Sequence, residues 1–153
     1  MKTKKILPIF ILVLLLTGCN PKTGKMTCTM SSYPTDGITL RSTYIAKYKN
    51  NVVTNLKTVE EITAENKDNL AIYKDKIKEL YKGYKGINYY KNSLKQKGHT
   101  LTSITTIEYD KVDTKKLIEV NSGNANIIKN GKVNIDDLKR MYKQNGCNCK
   151  KEG

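Results

Sequence analysis

A chain of 153 residues fits one domain with a real core, and 28 Lys and Arg against 14 Asp and Glu give it a formal charge of +14. A single histidine excludes a His-cluster metal site, and with no Trp and one Phe the ten tyrosines carry the aromatic chemistry. The charge excess attracts anionic partners such as headgroups, acidic polymers or nucleic acid.

The chain opens with Lys2, Lys4 and Lys5, followed by an apolar run from Ile6 to Leu16 and then Leu16-Thr17-Gly18-Cys19. A cationic start, a short apolar segment and small residues before a cysteine are the marks of a bacterial lipoprotein signal. The run is roughly half of the about 20 residues that a membrane span requires. Residues 1–18 are therefore expected to be removed, which makes Cys19 the first residue of the mature chain and the carrier of a diacylglyceryl thioether. Two acyl chains give stable anchoring, so the expected location is the extracytoplasmic face of the cell membrane, with no cofactor beyond that lipid. Export argues against nucleic acid and leaves phospholipid or anionic wall polymer as counter-charge. Loss of the three early lysines lowers the formal charge to +11. The lysines are spread along the chain, and AT-rich codon usage produces the same excess, so charge alone defines no site.

Residues 19–24 form a short polar tether, and residues 25–150 one domain. Met26, Cys28 and Met30 alternate with polar residues, the period of a strand with one buried face. After turn chemistry at Pro34 to Gly37, a better alternation puts Ile38, Leu40, Ser42, Tyr44, Ala46 and Tyr48 on one face. Lys49-Asn50-Asn51 fits a tight turn, and Val52 to Ile62 has the β-branched content of a third strand, completing a meander. Beyond Asn66-Lys67-Asp68, the spacing of Leu70, Tyr73, Ile77, Leu80 and Tyr84 predicts an amphipathic helix ended by Gly83 or Gly86. Ile87 to Tyr90 reads as a short strand, Thr100 to Tyr109 as a strong one, Asp113 to Val120 as a weak helical turn and Asn121 to Lys132 as loop. Asn134 and Asp137 resemble a capping arrangement ahead of Ile135, Leu138 and Tyr142, a second helix ended by Gly146. Cys147 to Cys149 forms a last extended piece.

With Cys19 taken by lipid, Cys28, Cys147 and Cys149 remain in a compartment where disulfides persist. An odd count leaves one thiol over. A Cys147–Cys149 bridge would close a tiny strained ring, so Cys28 pairs with one of the two C-terminal cysteines. A bridge from one end of the domain to the other is worth about 4–5 kcal/mol in the chain-entropy treatment.

Catalytic chemistry is hard to find. His99 sits in a loop before a strand. Glu60, Glu61 and Glu65, the densest acidic patch, lie beside Lys57 and Lys67 and read as solvated, salt-bridged surface. Asn124 to Asp137 lacks the ligand spacing of a calcium loop. Tyr44, Tyr48, Tyr73 and Tyr84 fall on apolar faces and are expected in the core. Tyr33, Tyr89 and Tyr90, with flanking lysines, are candidates for a surface that stacks on sugar rings or holds an anion.

The lipobox at Cys19, the Thr27-Cys28-Thr29 strand soon after it, the meander, the Tyr- and Lys-rich helix from Tyr73 to Tyr84 and the terminal Gly146-Cys147-Asn148-Cys149-Lys150 together resemble the YehR-like small bacterial lipoproteins. The resemblance implies an α+β fold, an antiparallel sheet with two packed helices on it, and a Cys28–Cys149 bridge with Cys147 spare. It transfers no catalytic residue. The expected function is a non-enzymatic binding or interaction module of the envelope, with anionic wall polymer or another envelope protein as its partner, and an enzyme or accessory acting on wall polymer as the alternative.

Overall fold

The computed structural model describes residues 22–152; Cys19 and residues 1–18 fall outside them. Three long strands, β1 (Thr23–Thr35), β2 (Ile38–Lys49) and β3 (Val52–Ala64), form the meander read from alternation. Asn50 and Asn51 reverse the chain between β2 and β3 with φ of 49° and 64°, values that asparagine tolerates better than most residues. Helix α1 (Lys67–Lys82) begins at Asn66, whose side chain accepts from the Asp68 N–H. Strands β4 (Tyr90–Lys97) and β5 (Thr100–Glu108) make a hairpin. Helix α2 (Thr114–Val120), a 3₁₀ turn (Ser122–Asn126), the small hairpin β6 (Ile128–Lys129) and β7 (Lys132–Val133), helix α3 (Ile135–Gln144) and β8 (Asn148–Glu152) complete the chain.

The α+β expectation holds: six antiparallel strands lie in the order β4-β5-β3-β2-β1-β8. Register places Cys149 directly opposite Cys28, and the two are joined in a disulfide that ties β8 to β1. Cys147 keeps a free, buried thiol, which burial pushes above its ordinary pKa.

Three details differ from the sequence reading. Among the described residues three helices form where two were expected, because Asp113 caps α2 by accepting from the Lys115 N–H at 3.1 Å. The strand placed at Ile87 to Tyr90 in fact runs from Tyr90 to Lys97. It is an edge strand whose outward Lys91, Lys95 and Lys97 mask its alternation while protecting the edge. The stretch read as loop contains the β6–β7 hairpin, turned by Asn130 and Gly131 at φ of 51° and 72°, the Asn-Gly pattern of a type I′ turn.

All three helices cover one face of the sheet. Leu70 of α1 packs with Ile38, Ile62, Ala64 and Leu101, while Leu117 of α2 and Ile135, Leu138 and Tyr142 of α3 pack with Met26, Cys28, Ala46 and Leu56. Between these two apolar clusters, two rows of the covered face are polar. One runs Tyr44, Thr58, Thr105, Asn92 across four strands, and the next runs Ser42, Glu60, Ser103. Among the described residues the opposite face carries no helix and no buried residue.

Candidate functional site: a tyrosine and lysine cleft at the sheet edge

The end of α1 and the start of β4 bring three tyrosines together. Tyr81 lies in the last helical turn, Tyr84 follows the Gly83 cap, and Gly86 and Tyr89, at φ of 88° and 65°, turn the chain so that Tyr90 opens β4. The Tyr84 and Tyr90 rings stack with centroids 4.6 Å apart and planes 12° from parallel, while Tyr81 stands 6.3 Å and 6.4 Å from them. These distances suit aromatic pairing.

Together with Lys78, Lys82, Lys85 and Lys91 they line a cleft of about 940 Å³ that continues around the β4 edge to Ser93, Ile104 and Thr106. Lys78 and Lys82 contact Asp75 and Glu79 at 3.4 Å and 3.5 Å in exposed pairs that hold them weakly. Lys85 and Lys91 make no ion pair among the described residues. The cleft thus joins aromatic rings to cations that a ligand can recruit at little cost.

The polar rows lie behind this wall. Burial raises the Glu60 carboxyl above its ordinary pKa of 4.5, and the neighbouring Tyr81 hydroxyl pulls part of the way back. This corrects the reading of Glu60 as solvated surface: it shares the covered face with Ser42 and Ser103, while Glu61, one residue on, points to the open side. Burial likewise raises the Tyr81 phenol, opposed by the Thr105 hydroxyl, and raises Tyr90, with Tyr81 and Tyr84 adding to the effect. Both phenols therefore stay protonated and able to donate at neutral pH. Asn92 Nδ2 donates to Thr105 Oγ1 at 2.9 Å and to Ser103 Oγ at 3.2 Å, fixing the floor of the band. Ser42 lies near enough to Tyr44 to lower its raised phenol pKa, yet Ser42 Oγ is buried without a partner in hydrogen-bonding geometry.

The sequence candidates separate. Tyr90 belongs to the cleft. Tyr89 turns outward, 46% exposed, with the Lys111 ammonium 5.4 Å from its ring centroid. Tyr33, 78% exposed, lies in a different depression with Asp36, Glu65 and His99, so the three tyrosines form no common platform. The His99 Nδ1 is 3.0 Å from the Ala64 carbonyl oxygen. Tyr44 stacks on Tyr142 at 4.3 Å and Tyr48 is buried, in keeping with a core role. Tyr81 and the site role of Tyr84 escaped the sequence reading, although the interleaved Tyr81-Lys82-Gly83-Tyr84-Lys85 carries the signal. Among the described residues no group of His, Cys, Asp or Glu is arranged to hold a metal, and no helix is long and apolar enough to cross a membrane.

Neither a family model nor a curated protein sequence matches the chain. Two solved structures do. An NMR structure of a protein from Streptococcus pneumoniae TIGR4 is 16% identical, with a TM-score of 0.55 over 98% of this chain and 98% of that one. The NMR structure of the E. coli YehR protein is 20% identical, with a TM-score of 0.55 over 86% of this chain and 92% of that one. At these identities what is shared is the fold, and the chain has a YehR-like fold.

Proposed function

We propose that this chain is a membrane-anchored envelope lipoprotein whose domain binds, without catalysis, an anionic polymer of the cell envelope at the cleft formed by Tyr81, Tyr84, Tyr90 and the surrounding lysines. The observation that carries the reading is the pairing of stacked rings with Lys85 and Lys91, cations that no carboxylate of the described residues engages. Rings stack on sugar or glycerol carbon while ammonium groups take charge, and the +11 of the mature chain draws the polymer in over about 8–10 Å.

Anchoring rests on Lys2 to Cys19. Cys19→Ser should abolish lipid labelling and release the protein from the membrane fraction or stall it uncleaved; continued membrane retention with a mature N-terminus elsewhere would overturn it. Binding is tested by retention on anionic wall polymer. Retention should fall steeply with salt and be lost in a Lys85→Glu/Lys91→Glu variant, whereas retention indifferent to both would assign the lysines to codon usage.

A second reading, an enzyme acting on wall polymer, draws support from one observation. Glu60 is a carboxyl held toward its protonated form one side chain behind the cleft, the property of a general acid. Turnover of a wall-derived substrate that disappears in Glu60→Gln and survives in Glu61→Gln would establish it.

A further inference from the structure

The open face of the sheet is organised in register rows, and the cleft runs onto it at Ser93, Ile104 and Thr106. One row crosses all six strands as Lys91, Thr106, Lys57, Ile45, Thr27, Lys150. The adjacent row, from Ser93 through Ile104, Val59, Thr43 and Thr29 to Asn148, carries no charge. The row beyond it holds Lys95 and Arg41, with Glu61 opposite Arg41. Three rows of this surface, which no helix of the described residues covers, therefore present five cations and one carboxylate, the latter already facing a cation. With neighbouring strands about 4.8 Å apart, Lys91 and Lys57 stand about 10 Å apart, Lys57 and Lys150 about 14 Å, and the row spans about 24 Å. Lys57, Lys91 and Lys150 are exposed and form no ion pair among the described residues.

We propose that the open face is a cationic track continuous with the cleft, and that the ligand is an extended polyanion with repeated charges, held at one end by the tyrosines and along its length by Lys91, Lys57 and Lys150. This deepens the proposed binding function and rests on it. The occupant follows from charge complementarity and continuity. A small anion satisfies the cleft and leaves Lys57 and Lys150 unused, while a chain of phosphate or carboxylate units spans the row, its carbon backbone lying over Ile45, Val59 and the threonine methyl groups.

The test compares tripolyphosphate with long-chain polyphosphate as probes, using the full chain and a Lys57→Glu/Lys150→Glu variant whose fold is checked by circular dichroism. The long chain should bind the wild type on the order of a hundredfold more tightly than tripolyphosphate, by adding contacts at high effective concentration. The double variant should lose most of that gain and show a shallower salt dependence, with tripolyphosphate affinity at the cleft reduced by less than about threefold. Equal affinity for both lengths, or a length-dependent gain that survives the double variant, would overturn the track and leave the cleft standing. Failure of both probes to bind would overturn the binding reading itself, and the track with it.

Discussion

The covered face of the sheet holds two apolar clusters that differ in how they are secured. The larger draws on α2, α3 and the β6–β7 hairpin and is stapled by the Cys28–Cys149 disulfide, whereas the smaller has Leu70 of α1 as its only fully buried helical residue. Polar rows divide them. Apolar packing roughly tracks the area removed from water, so stability concentrates at the stapled end; α1 grips the sheet through the smaller cluster, while Tyr84 and Tyr90 of the cleft pack against the larger one. The cleft therefore joins a lightly held helix end, which carries Tyr81, to a firmly packed pair of rings.

The largest effect is expected at the disulfide. Cys28→Ala/Cys149→Ala should cost about 4 kcal/mol, as expected for a closed loop exceeding 100 residues. Thermal unfolding should show a midpoint lowered by about 8–16 °C, at about 2–4 °C per kcal/mol for a domain of this size. Next come the two leucines. Leu138→Ala and Leu70→Ala each delete a side chain with 0% exposure, and each should cost about 2–5 kcal/mol if its surroundings hold their shape. The comparison predicts a difference in kind. Leu138→Ala lowers hydrogen-exchange protection across the sheet, while Leu70→Ala frees α1, and with it the Tyr81 wall of the cleft, with smaller loss in β1, β2 and β8. Equal, global loss of protection in both would remove the distinction.

A smaller effect is expected at the α3 cap. Asn134 accepts from the Asp136 N–H at 2.8 Å, and Asn134→Ala should cost about 1 kcal/mol by chemical denaturation. The smallest lies in the dividing band. Because the folded state raises the Glu60 pKa above 4.5, it binds this proton more tightly than the unfolded chain. The associated stability is complete below pH 4.5 and is lost as pH rises through the raised value. Glu60→Gln, which keeps an acceptor for Tyr81, should remove that loss and leave the variant more stable than wild type at neutral pH. An unchanged pH profile would place Glu60 in water.

The meander was legible because β1 and β2 alternate cleanly, and α3 because Asn134 and Asp137 mark its start. Residue type favours a helix stripe through Leu80, the more hydrophobic residue, yet Leu80 is 60% exposed and its neighbour Tyr81 turns to the sheet. The spacing from Leu70 through Ile77 to Tyr81 and Tyr84 fits the helical period as well. Residue type and period disagreed, and the sheet surface beneath decided. Glu60 and Glu61 looked equivalent in sequence because a run of two carboxylates carries no information about which one faces a helix. Alternation alone places Ser42 on the covered face, but its meaning depends on Glu60 and Ser103 sharing its row on β3 and β5, from 18 and 61 residues along the chain.

The local chain by itself determined strand alternation, caps, turn chemistry and the restriction of Cys28 to a C-terminal cysteine, since these are interactions between near neighbours or consequences of residue count. Only the tertiary structure decided that Cys149 stands opposite Cys28, that Tyr81, Tyr84 and Tyr90 meet while Tyr33 stands apart, and that Lys91, Lys57 and Lys150 share one row. Each depends on which strands pair and in what register, a property of the whole sheet in which a slip of one residue turns every side chain to the other face.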